Sequence, residues 1–121
     1  MRLGAARVFV RDLAAAEGFY AKALGLPLRA GGWTHGYCVF DTGAVLLVVE
    51  AVPADAPTDD QGLVGRFTGL SFTVDDIEAS VATLQARGVH FTGLPQRQAW
   101  GGVLATLRDL AGNELQLVQL P

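Results

Sequence analysis

The order of elements along this chain occurs twice, and that repetition limits the possible folds more than any other feature. From Ala5 to Val10 the residues alternate as a strand, with Ala6, Val8 and Val10 on one side and Ala5, Arg7 and Phe9 on the other. Asp12 is placed to cap a helix over 13–24, in which Leu13, Ala16, Phe19 or Tyr20, and Leu24 make one apolar stripe. Gly25 and Pro27 end it. Three strand-like segments follow, at 26–30, 35–41 and 44–50, the last two separated by the turn Asp41-Thr42-Gly43. Beyond residue 67 the same order returns. A strand carries Leu70, Phe72 and Val74, and Asp76 then caps a helix with Ile77, Val81 and Leu84 that closes at Arg87-Gly88. Strands at 90–93, 101–108 and 114–120 complete the second copy. Val10-Arg11-Asp12-Leu13 thus answers Val74-Asp75-Asp76-Ile77, and the reading is two tandem βαβββ modules.

The stretch between the copies, 51–67, holds Pro53, Asp55, Pro57, Asp59, Asp60 and Gly62 and reads as a linker without strong helix or strand signal. The division expected is one domain over 1–121, with module one at about 4–50 and module two at about 68–120. Near the C-terminus, Arg108 to Asn113 reads as a tight turn, Gly112 and Asn113 both tolerating positive φ. The strand after it sets Glu114, Gln116 and Val118 against Leu115 and Leu117.

Composition removes several classes of function. Half of the 121 residues are hydrophobic, which argues against disorder. Twelve acidic against nine basic residues, with no cluster of Lys or Arg, argue against a nucleic-acid partner. No secretory pattern and no apolar run near the length of a membrane span are present, so no membrane partner and a cytoplasmic location are expected. The lone Cys38, in an alternating strand flanked by Val39 and Phe40, reads as a buried structural thiol. Gly31-Gly32 lacks the Lys-Ser/Thr of a phosphate loop, and Ser71 and Ser80 lack a nucleophile-elbow context.

Several of these segments together resemble the vicinal-oxygen-chelate superfamily, which groups glyoxalase I, bleomycin-resistance proteins, fosfomycin-resistance proteins and extradiol dioxygenases. The matching residues are Val10-Arg11-Asp12-Leu13 with Phe19-Tyr20 and Leu24-Gly25-Leu26-Pro27, then Val74-Asp75-Asp76, Trp100-Gly101-Gly102 and Arg108-Asp109-Leu110-Ala111-Gly112-Asn113. The resemblance implies an α+β fold in which the two modules form curled mixed sheets around a cavity, with helices outside, and a homodimer. It also implies a divalent metal held by residues of the first and last strand of each module. Carried over one at a time, those places fall at Ala5, near Leu47, at Gly69 and at Gln116. Three of these side chains have no donor atom, so no cofactor is expected. The alternative is one divalent ion on a site rebuilt from His35, His90, Glu50 and Glu114, although no His-x-x-x-His or His-x-Glu spacing brings them together.

Strand parity and the resemblance together nominate the residues facing a small-molecule ligand. The first module contributes Arg7, Phe9, Val45 and Leu47, and the second Ser71, Thr73, Glu114, Gln116 and Thr106. Trp33, Tyr37 and Trp100 stand at strand entrances, where rings can stack on a planar ligand or pack in an interface. An inward Arg7 needs a partner, either Glu114 or an anionic ligand. The expected function is a metal-independent small-molecule-binding protein that sequesters an antibiotic or metabolite. The alternatives are a metal-dependent lyase, isomerase or dioxygenase, a metal-free acid–base enzyme using Glu114, or a scaffold whose cavity is filled by side chains.

Overall fold

The computed structural model describes all residues, Met1–Pro121. Eight strands form two mixed four-stranded sheets, and each sheet is built by one copy of the repeat. Two compact units result: residues 1–66 together with 110–113, and residues 67–109 together with 114–121.

In the first unit β1 (Ala5–Val10), β2 (Leu28–Gly32), β3 (Tyr37–Asp41) and β4 (Leu46–Ala51) lie in the order β1-β4-β3-β2. Strand β1 runs parallel to β4, and the remaining pairs are antiparallel. Helix α1 (Leu13–Gly18) begins where the sequence places it, with the Asp12 carboxylate accepting from the Ala15 N–H at 3.0 Å. It does not continue as one α-helix to residue 24. A wider π-helical turn over Phe19–Ala23 replaces its last part, with the Leu24 N–H donating to the Phe19 carbonyl at 3.0 Å. Phe19 and Tyr20 of this turn both enter the core. There they join Val8, Val10, Phe40, Leu47 and Val49, and the Tyr20 ring lies 5.8 Å from that of Phe40.

The second unit repeats the plan with β5 (Phe67–Thr73), α3 (Ile77–Ala86), β6 (His90–Arg97), β7 (Val103–Arg108) and β8 (Glu114–Gln119), in the order β5-β8-β7-β6. Asp76 caps α3 through the Ala79 N–H at 3.1 Å. Ile77, Val81 and Leu84 are buried, as are Ala105, Leu107, Leu115 and Leu117 of the sheet. Strand β5 bulges at Gly69, whose φ of 74° only glycine adopts readily. The Thr68 hydroxyl repairs the broken ladder by donating to the Glu114 carbonyl at 2.7 Å and accepting from the Leu70 N–H at 3.1 Å.

Two local expectations change. The connecting stretch contains a one-turn helix, α2 (Thr58–Gln61). Gly112 alone takes positive φ in the C-terminal turn, because Asn113 is committed elsewhere. Asn113 is 1% exposed; its Oδ1 accepts from the Gly65 and Arg66 N–H groups at 2.9 and 3.3 Å, and its Nδ2 donates to the Phe9 carbonyl at 2.8 Å. No helix is long and apolar enough to cross a membrane.

Candidate functional site

Each sheet has one face against its helix and one open face, and strand register decides which side chains share the open one. In the first sheet Arg7 is in register with Val48 and through it Val39, and Phe9 with Glu50 and through it Tyr37. These positions are partly or fully exposed, whereas Val8, Val49 and Cys38 of the intervening rows are buried. Arg7, Phe9 and Tyr37 therefore share the open face of this sheet. Leu47 does not: it is 2% exposed and belongs to the helix-side core. Its place on the open face is taken by Leu46, Val48 and Glu50.

Of the two partners the sequence left open for Arg7, Glu114 or an anionic ligand, Glu114 is not the one it meets within the chain. Arg7 is bound by Glu50: Nη2 lies 2.7 Å from both carboxylate oxygens, and Nε lies 3.0 Å from Oε1. Glu50 sits two residues beyond Arg7's own register partner on the neighbouring strand, a diagonal that a long side chain spans. The bidentate bond to Glu50, then its charge, push the Arg7 guanidinium above its ordinary value. The Arg7 guanidinium carbon also stands 5.3 Å from the centre of the Phe9 ring. Glu114 is held instead by Arg108 of the adjacent strand, at 3.3 Å.

Beside the Arg7–Glu50 pair lies a pocket of about 370 Å³. Its floor is Arg7, Phe9 and Glu50, and the connecting segment adds Pro53, Asp60 and Leu63. It thus combines an aromatic ring, aliphatic side chains and both signs of charge.

The open face of the second sheet is more polar. Ser71 is in register with Gln116 and through it Thr106, while Thr73 is one row further along the same side. Glu114 occupies the row of Phe67 and Arg108. Trp33 and Trp100, one in each unit, are about half exposed at 55% and 53%. Trp33 occupies a 3₁₀ turn whose backbone N–H donates to Glu17 Oε1 at 2.8 Å. Trp100 folds back on its own turn, where a Cβ on Gly102 would lie 2.1 Å from the indole, so Gly102 is what makes room for it. The Tyr37 ring is seated on Gly31 in a similar way.

The donor set does not fit the metal implied by the resemblance. Ala5 lies opposite Leu46, and Ser71 opposite Gln116. Of the four alternative ligands, Glu50 and Glu114 are engaged by arginines, while His35 and His90 are exposed. No three His, Cys, Asp or Glu side chains converge.

The class that this fold defines, a duplicated βαβββ unit, is borne out by comparison with known proteins. The chain belongs to the Glyoxalase/Bleomycin resistance protein/Dioxygenase superfamily, whose family model matches residues 2–117. No curated protein matches it. Among solved structures it is 30% identical to TnmS3, an antibiotic binding protein from Streptomyces sp. CB03234, over 100% of this chain and 97% of that one, with a TM-score of 0.77. A superfamily member from Sphaerobacter thermophilus DSM 20745 is 25% identical over 99% and 98% of the two chains, at 0.80. A lactoylglutathione lyase from Agrobacterium tumefaciens shares the fold at 22% identity over 98% and 92%, at 0.76.

Proposed function

We propose that this protein is a metal-independent small-molecule-binding protein that sequesters an antibiotic or metabolite, and that it works as a homodimer. The observation that carries the reading is the pocket on the first sheet, where Arg7, Phe9 and Glu50 meet the apolar residues of the connecting segment. The likeness to an antibiotic binding protein at 30% identity supports the same reading. The residue types at the metal positions support independence from a metal, since Ala5 and Gly69 supply no donor atom. Arg7 retains Nη1 donors beyond its bonds to Glu50, and Phe9 offers a ring for stacking.

A thermal-shift screen of planar aromatic and cationic antibiotics tests the proposal. A ligand present at about a hundred times its Kd adds about 2.7 kcal/mol, which raises the melting temperature by several degrees for a chain of this size. Arg7→Ala is expected to reduce that shift while leaving the ligand-free melting temperature nearly unchanged, because its ion pair is solvent-exposed. A panel without any shift would remove the binding reading. One tightly held metal ion per chain in native protein would move the assignment to a metal-dependent enzyme.

A further inference from the structure

The segment joining the two repeats has little regular structure, yet it is tied down along its length. At its start the Val52 N–H donates to the Val10 carbonyl at 2.8 Å. At its end Val64 forms a parallel bridge with Phe9, and Asn113 holds the next two N–H groups. Between these anchors one side chain gathers the turn. Gln61 Nε2 lies 2.8 Å from the Pro53 carbonyl, 3.2 Å from that of Ala54 and 3.3 Å from that of Ala56. Its Oε1 accepts from Nη1 of Arg11, the residue that follows β1. Both ends of the carboxamide are therefore used, with two amide hydrogens shared among three acceptors.

The gathered turn is also part of the pocket: Pro53, Ala56, Asp60 and Leu63 line it, and Gln61 does not. We propose that Gln61 is a positioning residue, whose carboxamide holds the 53–60 turn as a preformed wall of the Arg7–Phe9–Glu50 pocket and so sets ligand affinity and selection without touching the ligand. The inference rests on the binding reading above and adds the device that shapes the site. A turn without this tie samples many conformations, and a ligand must then order it at the expense of its own affinity. Global stability is not what the tie supplies. The bonds to the Pro53 and Ala54 carbonyls are exposed and that to Ala56 is part-buried, so when Gln61 is removed the first two pass to water and are exchanged rather than lost.

The test uses the full chain with 8-anilinonaphthalene-1-sulfonate as a fluorescent probe, and cleavage by endoproteinase Asp-N, for which Asp55, Asp59 and Asp60 lie in the turn. Phe9→Ala, which removes the ring of the pocket floor, is expected to weaken probe binding and so locate it. Gln61→Ala is expected to weaken it roughly tenfold, the size of effect of losing one well-made anchor. Asp-N cleavage should accelerate while the melting temperature stays close to that of the parent. Gln61→Glu keeps the acceptor for Arg11 and turns an oxygen toward the three carbonyls, so it should behave like the alanine variant. Probe binding indifferent to Phe9→Ala would overturn the pocket and this inference together. Binding that responds to Phe9→Ala but to neither Gln61 variant would overturn the inference and leave the pocket standing. Loss of cooperative unfolding in both Gln61 variants would also overturn it, since the residue would then serve the fold itself.

Discussion

Cys38 and Arg7 show how much the surroundings of a side chain decide what it can do. Cys38 is fully enclosed, with its Sγ 3.5 Å from Glu17 Oε1. Burial pushes the thiol up, and the hydrogen bond and charge of Glu17 add to this, taking it from 9.0 to about 11. A nucleophilic cysteine needs the reverse, a pKa lowered by positive charge or a helix N-terminus. Cys38 should therefore ignore Ellman's reagent at pH 8 in the folded protein and react fully once guanidinium unfolds it. Fast reaction of the folded protein would contradict the enclosure. The same shift affects stability with a definite sign. The neutral thiol is favoured in the fold, so its contribution is present in full below pH 9 and is lost as pH rises toward 11. Arg7 stands at the other extreme: its side chain is 58% exposed, which leaves its guanidinium accessible to a ligand.

At the scale of an element, the turn before β8 carries more than a change of direction. Asn113 is buried and ties Phe9, Gly65 and Arg66 to one carboxamide. Asn113→Ala would leave those backbone groups without this partner in a part-buried setting, at a cost of about 3 kcal/mol. In urea the midpoint should fall with the m-value unchanged; an unaltered midpoint would show that water replaces the amide without penalty. This role was not legible in the sequence, where Asn in a turn is explained by its tolerance of positive φ, and nothing local names a partner 104 positions away. Strand parity was legible wherever polar and apolar residues alternate. Glu114 and Gln116 against Leu115 and Leu117 fix the open face of β8 correctly. It was not legible in β4, because Val45-Leu46-Leu47-Val48-Val49 is apolar throughout and carries no period of two. One step of register there moved Leu47 into the core and brought Glu50 to Arg7. The caps at Asp12 and Asp76 were readable because a cap is a contact of three residues' span.

For the whole molecule, the repeat read from the sequence becomes two sheets of the same strand order, each completed within its own unit. The duplication was visible because the cap, the glycine stop and the three following strands recur in one order, and no single motif had to bear the assignment. What a repeat does not encode is the covering of each sheet's outer residues. Leu28, Trp33, Phe67, Leu94, Trp100 and Leu110 are each more than two-fifths exposed in the single chain. A chain with this much large apolar surface gains by burying part of it, and a second copy is the partner always at hand. Sedimentation velocity should accordingly give twice the mass of one chain at micromolar concentration. A dimer held by apolar contact should survive a rise in salt concentration, whereas one held by ion pairs would weaken. Replacing Trp33 and Trp100 by serine, singly, then asks which unit supplies the contact. The variant that sediments as a monomer while keeping its circular dichroism identifies the surface, and a monomeric parent at every concentration would show that these residues are free for ligand instead.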